Sequence, residues 1–129
     1  MNLVELYIML HLKYAGIEYS KMISKISGLP INEVNNEIRK LMNNGIIERD
    51  EGKVVKRKEA RFKKSYEVHK HHTYYKLTDK GKHTLREMDE KWFKNYFENV
   101  GRIENKKFAK ILAYFIGKHI GKPFKINMH

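Results

Sequence analysis

The side chains in this sequence that could do chemistry are amides, imidazoles and cations. Asn35 and Asn36 lie in the stretch INEVNNEIRKLMN at positions 31–43. The amide of an asparagine can pair with N6 and N7 of adenine in the major groove of DNA. The sequence therefore predicts base contact for at least one of these two residues, and polar helix surface is the alternative.

Three further polar residues in this stretch complete the predicted contact set, namely Asn32, Arg39 and Lys40. Arg39 and Lys40 follow the asparagines by about one helical turn and would reach a phosphate or a guanine. A solvated face is the equally simple reading of these two cations. Because Glu33 and Glu37 balance them, the stretch carries no net charge, and attraction to phosphate is expected to depend on another segment.

That other segment is residues 53–72, where eight Lys or Arg residues stand against Glu59 and Glu67. Cations at this density fix phosphates of nucleic acid, and a mobile solubilising loop is the alternative. Arg57 and Arg61 could enter an adjacent minor groove. The predicted DNA contacts of this segment are Lys53, Lys56, Arg57, Lys58, Arg61, Lys63, Lys64, Lys70, His71 and His72.

The same segment holds the histidine cluster His69, His71 and His72. Imidazoles this close could bind a metal ion. The chain has no cysteine, however, and on an extended backbone His72 would point away from His69 and His71. Packing or phosphate contact is therefore the favoured role, and no metal or other cofactor is predicted.

The placement of charge narrows the class of partner. Residues 1–50 hold six basic and six acidic side chains, whereas residues 51–129 hold 21 basic and nine acidic ones, so the formal charge of +12 lies in the second part. Such a field favours nucleic acid, here expected to be double-stranded DNA, over an anionic membrane surface or a solvated surface without a partner. No phosphate-binding glycine loop, nucleophile elbow or zinc-protease motif occurs, and an enzyme is not predicted.

No targeting segment is predicted. Leu6–Leu10 is apolar but is bracketed by Glu5, His11 and Lys13, which leaves it too short for a signal peptide or a membrane span. The expectation is a cytoplasmic protein with no membrane partner.

Helical spacing of apolar residues predicts a first helix up to Gly16, and Ser20 is a plausible N-cap for a second. Gly28 permits a tight turn, and Pro30 suits the start of a third helix over 31–43. Strands are predicted at 46–50 and 73–77. One long helix, Asp79–Glu98, follows Thr78, and a fifth helix is expected over Glu104–Ile120.

This order predicts a mainly α fold with a small β-hairpin (α+β). The architecture is a winged helix-turn-helix at 1–90 with a long basic wing at 51–72, followed by a C-terminal helical extension at 91–129. Its third helix is the expected recognition helix, because this fold presents one helix to the major groove and a loop to its flank.

The stretch ISKISGLPINEVNNEIRKLMNNGIIER at 23–49 resembles the pattern of MarR-like and other prokaryotic winged-helix regulators. YYKLTDKG at 74–81 is similar to their junction between the second wing strand and the next helix. Within them, ARFKKSYEVHKHHTYYKLTDKG at 60–81 is similar to an uncharacterised group of archaeal winged-helix proteins. The resemblance covers about residues 3–90 and implies DNA binding, although the neutral recognition helix departs from the usual basic one.

The C-terminal extension is expected to form a two-fold dimer. No helix is predicted before the first winged-helix element. The apolar helix surface that a small winged-helix core has no room to bury lies near the other end of the chain. The residues expected near the seam are Trp92, Tyr96, Phe108, Leu112 and Phe115. The alternative is that the fifth helix folds back and completes the core of a monomer.

The leading hypothesis is thus a dimeric DNA-binding transcriptional regulator. One alternative is a nucleic-acid-coating or architectural protein with little sequence preference. The other is a protein-interaction adaptor that uses the winged-helix fold.

Overall fold

The computed structural model describes residues 1–50 and 72–127, and this part of the chain holds six helices and three strands. They are α1 (Leu3–Ala15), β1 (Glu18–Tyr19), α2 (Ser20–Ser27), α3 (Ile31–Asn43), β2 (Ile47–Asp50), β3 (Tyr74–Leu77), α4 (Asp79–Arg86), α5 (Glu90–Glu98) and α6 (Lys106–Ile120). The predicted fold class, mainly α with a small β element, is confirmed.

Helix α1 is the central element of the fold. Asn2 and Glu5 form a capping box at its start, in which Asn2 Oδ1 accepts from the Glu5 N–H at 2.8 Å. Gly16 ends the helix as predicted, with a positive φ of +86° that glycine adopts readily. Every residue from Leu6 to Leu12 is buried, which a helix allows only when other elements cover it on all sides.

The helix-turn-helix is formed by α2 and α3. Gly28 takes the left-handed conformation with φ +78° at the end of α2, as predicted. The predicted N-cap of α2 is wrong by one residue, because Tyr19 rather than Ser20 precedes that helix, whereas α3 covers the predicted residues 31–43 and Pro30 directly precedes it. The side chain of Ser24 closes the turn by donating to the Leu29 carbonyl at 2.6 Å.

The three strands form one antiparallel sheet in the order β1-β3-β2. In the predicted hairpin, Ile47 pairs with Leu77 and Asp50 with Tyr74. Strand β1 was not predicted, since its two residues pair with β3 without any alternating pattern in the sequence. At the far end of β3, Thr78 caps α4 as predicted, accepting from the Gly81 N–H at 3.0 Å.

The single long helix predicted for Asp79–Glu98 is wrong. The chain forms α4 and α5 instead, and Asp89 starts the second of them by accepting from the Trp92 N–H at 2.8 Å. The apolar residues of this stretch cover too wide a face for one straight helix to turn toward one core. The break lets Leu85, Met88 and Phe93 all be buried.

Helix α6 folds back onto α1, as the alternative to a dimer seam had it. Asn105 caps the helix by accepting from the Phe108 N–H at 3.0 Å, so it begins two residues later than predicted. Tyr7 of α1 meets the rings of Phe108 and Phe115 at centroid distances of 5.7 and 5.9 Å. One hydrophobic core therefore includes residues from both sides of the expected domain boundary at position 90.

Among the described helices, none combines the length and the apolar character needed to cross a membrane.

Candidate nucleic-acid interface

Helix α3 is held by its apolar side, which leaves its polar side outward. Val34, Ile38 and Leu41 are buried at spacings of four and three residues, on one helical face. Glu37 lies on the edge of that face and is also buried. Its carboxylate accepts from Asn2 Nδ2 at 2.9 Å and from Lys40 Nζ at 3.2 Å, so it ties the recognition helix to the start of α1.

Four of the five predicted contact residues of this helix are exposed, and they are Asn32, Asn36, Arg39 and Lys40. Asn35 is half-buried. The Arg39 guanidinium donates to Asn36 Oδ1 one turn earlier. This contact holds an amide and a guanidinium side by side, and both groups can read a base edge.

The charges of α3 are balanced within the helix. Lys40 is paired with Glu37, and Glu33 is an exposed acid in the first turn. A negative charge at this end of a helix offsets the dipole that would otherwise attract phosphate. The two acids of α3 thus balance its two cations, as predicted. Lys40 pairs with Glu37, and Arg39 is the cation of this helix that extends from the exposed face.

The end of the β2–β3 hairpin next to the wing segment, which we call the wing root, carries the acidic side chains Glu48 and Asp50 on one side. Lys76 of β3 lies 3.2 Å from Asp50 and 3.7 Å from Glu48 across the hairpin. The hydrogen bond to Asp50 raises the pKa of Lys76. Cross-strand pairs of this kind fix the register of the two strands, which sets the point from which the wing leaves the body.

On the other side, an aromatic group holds the wing root. The ring of His72 stacks on Tyr19 of β1 at a centroid distance of 4.1 Å, and Tyr19 meets Tyr74 edge-on at 5.3 Å. Strand β1, which no sequence pattern predicted, therefore supports the only predicted contact residue of the wing that the structure describes.

The remaining predicted contacts of the wing lie outside the described residues. They are Lys53, Lys56, Arg57, Lys58, Arg61, Lys63, Lys64, Lys70 and His71, together with His69 of the histidine cluster. Within residues 1–50 and 72–127, no group of three His, Cys, Asp or Glu side chains could hold a metal ion.

A chain of hydrogen-bonded, buried polar side chains beneath β1 was also not predicted from the sequence. The hydroxyl of Tyr7 lies 2.9 Å from His11 Nδ1, and His11 Nε2 lies 2.9 Å from Glu18 Oε2. All three side chains are fully buried. Buried polar groups need partners, so His11 inside the apolar run 6–12 was the available signal that β1 packs against α1.

A cationic cleft of about 520 Å³ lies between α1, β3, α4 and the end of α6. Its polar lining is Lys13, Lys76, Lys82, Arg86 and His119 over an apolar floor. Lys13 Nζ donates to His119 Nδ1 at 2.7 Å, and His119 Nε2 donates to the Met88 carbonyl at 2.8 Å. Burial lowers the pKa of both Lys13 and His119, and the Lys13 charge lowers that of His119 further.

The residues expected at a dimer seam fall into two groups. Phe108, Leu112 and Phe115 are buried in the core of the single chain, as the alternative to a dimer interface predicted. Trp92 and Tyr96 of α5 are half-buried and stack on each other at a centroid distance of 5.1 Å. Of the five residues, Trp92 and Tyr96 are therefore the ones that one chain leaves partly exposed.

Comparison with known proteins agrees with this architecture. The profile of a family described as "Uncharacterized protein conserved in archaea (DUF2250)" matches residues 2–88. No curated protein matches the sequence.

Two solved structures resemble the fold. The first is a MarR family transcriptional regulator from Silicibacter pomeroyi, with a TM-score of 0.51, 17% identity, and coverage of 90% of this chain and 70% of the other. The second is a MepR-like protein complexed with pseudoligands, with a TM-score of 0.53, 17% identity, and coverage of 92% and 74%. At this identity the likeness extends to the fold alone, and it confirms the predicted MarR-like winged helix.

Proposed function

Since the chain belongs to this family conserved in archaea and has a MarR-like winged-helix fold, we propose that it binds double-stranded DNA as a transcriptional regulator. In this proposal α3 enters the major groove and the basic wing holds the flanking backbone. The role requires no catalytic group, in line with the absence of catalytic motifs from the sequence. The observation that carries the proposal is the outward polar face of α3, with Asn32, Asn36 and Arg39 exposed on a helix anchored by its other side.

The pair Asn36–Arg39 is the proposed reader of sequence. An amide can recognise adenine and a guanidinium can recognise guanine in the major groove, and holding the two together reduces the order that DNA must impose on them. Asn32 and Lys40 lie toward the two ends of the same helix, where phosphate or base edges would be within reach.

Selection from a pool of random duplexes, followed by competition of the selected duplex against random DNA, tests this function. Asn36→Ala is expected to relax specificity at one base pair by about 1–3 kcal/mol without changing the salt dependence. The matched control is Asn95→Ala, which removes an exposed asparagine of α5. Equal binding of selected and random DNA would exclude sequence recognition.

A second candidate function is non-specific coating of nucleic acid. A neutral α3, in which Lys40 pairs with Glu37, beside the strongly cationic segment 53–72 favours it, because binding would then rest mainly on phosphate contacts that carry no sequence information. The same competition separates the two functions. Lack of binding to any nucleic acid at about 50 mM salt, where phosphate contacts are strong, would instead support a protein-interaction adaptor.

We also propose a homodimer whose seam is formed by α5. Trp92 and Tyr96 are large aromatic side chains that the single chain leaves partly open, and symmetric pairing is the commonest way to cover such a surface. Trp92→Glu is expected to convert the dimer to a monomer in sedimentation experiments. Tyr114→Glu is the control, because Tyr114 is an exposed aromatic residue of α6. A Trp92→Glu chain that still sediments as a dimer would exclude this seam.

A further inference from the structure

The start of α6 is fastened to the turn of the helix-turn-helix. Asn105 Nδ2 donates to the Gly28 carbonyl at 3.2 Å, and Lys107 Nζ donates to the Lys25 carbonyl at 3.0 Å. The aliphatic stem of Lys107 packs so closely on Gly28 that a Cβ there would lie 3.0 Å from Lys107 Cδ. The first turn of α6 is therefore positioned with the segment that leads into α3.

Five exposed lysines lie on α2 and on the start of α6, which is fastened to the end of α2, and we name them the α2–α6 lysine cluster. Its members are Lys21, Lys25, Lys106, Lys107 and Lys110. None of the five forms an ion pair with any described residue. Residues 20–30 contain no acid, and Glu104 is the single acid in residues 101–110. The cluster thus has an excess of positive charge that residues 1–50 and 72–127 do not neutralise through ion pairs.

The arrangement of the cluster works against the stability of the two helices. Lys21 and Lys25 are like charges four residues apart, and so are Lys106 and Lys110, a spacing that brings side chains together on a helix. The first turns of α2 and α6 contain no acid, whereas α1, α3, α4 and α5 each have one there. Lys21, Lys106 and Lys107 lie in the first turns of their helices, where a positive charge opposes the helix dipole, so the dipole does not account for these three lysines.

Along the chain, the cluster is joined to the start of α3 and strand β2 follows the end of α3. Gly28, which contacts Lys107, precedes the start of α3 by three residues, and the wing strands follow its end after a short turn. With 13 residues α3 is roughly 20 Å long, which is more than the width of the major groove, about 12 Å. A helix lying in the groove would therefore have one cationic element near each bordering backbone.

We infer that the α2–α6 lysine cluster is a second phosphate-binding surface, which grips the DNA backbone at the N-terminal end of α3 while the wing grips it at the other end. This inference rests on the proposed DNA binding and extends it, because it assigns the outer face of the first turns of α6 to the duplex. A neutral recognition helix is then flanked by cations on both sides, and its own charge balance is no obstacle to tight binding.

The test compares two full-length variants that each lose four positive charges. The first, K21Q/K25Q/K106Q/K110Q, removes most of the cluster and keeps Lys107, whose amine helps to hold α6 on the turn. The control, R102Q/K118Q/K122Q/K125Q, removes four exposed cations of the segment before α6, the end of α6 and the C-terminal segment. Thermal unfolding checks that both remain folded, and relief of like-charge repulsion is expected to keep the first variant as stable as the wild type.

Binding to the same duplex is measured across a salt series, and hydroxyl-radical footprinting maps the protected backbone. For the cluster variant the slope of log K against log salt should fall by about one unit for each phosphate that the variant no longer binds, and protection should shrink at one end of the footprint. The control should keep the wild-type slope and footprint.

A cluster variant with the wild-type slope, or an equal reduction in both variants, would overturn the inference while leaving DNA binding intact. A wild-type chain that binds no DNA would overturn the proposed function as well.

Discussion

Helices α5 and α6 are both rich in aromatic and apolar residues, but the fold uses them differently. Helix α6 packs Phe108, Leu112 and Phe115 into the core, and its exposed side is largely lysine. Helix α5 buries Phe93 and leaves Trp92 and Tyr96 partly open. The difference shows that an apolar surplus in a sequence does not identify an interface, because the surplus of one helix can be the cover of another.

The sharpest way to break this comparison is to remove one aromatic ring from each helix. Phe115→Ala in α6 is expected to lower the free energy of unfolding by about 3–5 kcal/mol, since it leaves a cavity beside Tyr7 and Tyr14. Trp92→Ala in α5 should cost less than about 2 kcal/mol, because part of that ring is already in water.

Urea unfolding at one fixed protein concentration measures both losses, since a dimer would make them depend on concentration. Equal losses from the two substitutions would contradict the distinction between a core helix and a surface helix.

A second test concerns what α6 covers. Phe115 lies against Tyr7 and His11, so α6 seals the polar chain that joins Tyr7, His11 and Glu18. Glu18→Ala removes the carboxylate that lies 2.9 Å from His11 Nε2 in a fully buried position. The free energy of unfolding is expected to fall by about 1–3 kcal/mol, because the buried His11 ring loses this hydrogen bond.

The readout is again the free energy of unfolding, with Glu48→Ala as the control, because that carboxylate is exposed at the surface. A Glu18→Ala loss no larger than that of the control would mean that the polar chain contributes nothing to the packing of β1 on α1.

These two tests concern the part of the fold that the sequence predicted least well. The helix-turn-helix followed from local signals, since Gly28 at the turn and the apolar spacing of Val34, Ile38 and Leu41 act within a few residues. Strand β1 and the break at Met88 depend on distant partners. Tyr19 pairs with Tyr74, and the Met88 carbonyl accepts from His119, so no local pattern contains them.

The site divides in the same way. The exposed residues of α3 could be predicted because helical periodicity separates the buried face from the polar one. The α2–α6 lysine cluster could not, because Lys25 and Lys107 are 82 positions apart and meet only when α6 folds back. The burial of Phe108 and Phe115 in the core could not be predicted locally either, since their partner Tyr7 lies near the other end of the chain.

The N-caps of the two helices offer a third comparison. Asp89 caps α5, while Asn105 caps α6 and also donates to the Gly28 carbonyl. Replacing either with Ala is expected to cost about 0.5–2 kcal/mol because the cap is removed. Asn105→Ala should in addition loosen α6 from the turn before α3.

Asn105→Ser separates the two roles of Asn105, because serine caps a helix well but is too short to keep the second hydrogen bond. Hydrogen exchange at the turn should rise in both Asn105 variants and stay at the wild-type rate in Asp89→Ala. A rise in all three would indicate a general loss of stability instead.

The smallest expected effect concerns the C-terminal end of α6, where His119 joins this helix to the break between α4 and α5. Burial and the nearby Lys13 charge lower the pKa of His119 below its ordinary value of 6.5. The folded chain therefore binds fewer protons here than the unfolded chain once the pH falls below 6.5, and stability decreases as the pH falls through that window.

His119→Gln removes this titration and should cost about 0.5–1.5 kcal/mol at neutral pH through weaker hydrogen bonding. The difference from the wild type should shrink on acidification, as measured by urea unfolding at about pH 7.5 and about pH 5.5. His83→Gln, which alters an exposed histidine of α4, is measured in parallel as the control. A His119→Gln deficit that grows toward acid pH would mean that the folded state favours the protonated ring, and the contact with Lys13 would then have to break.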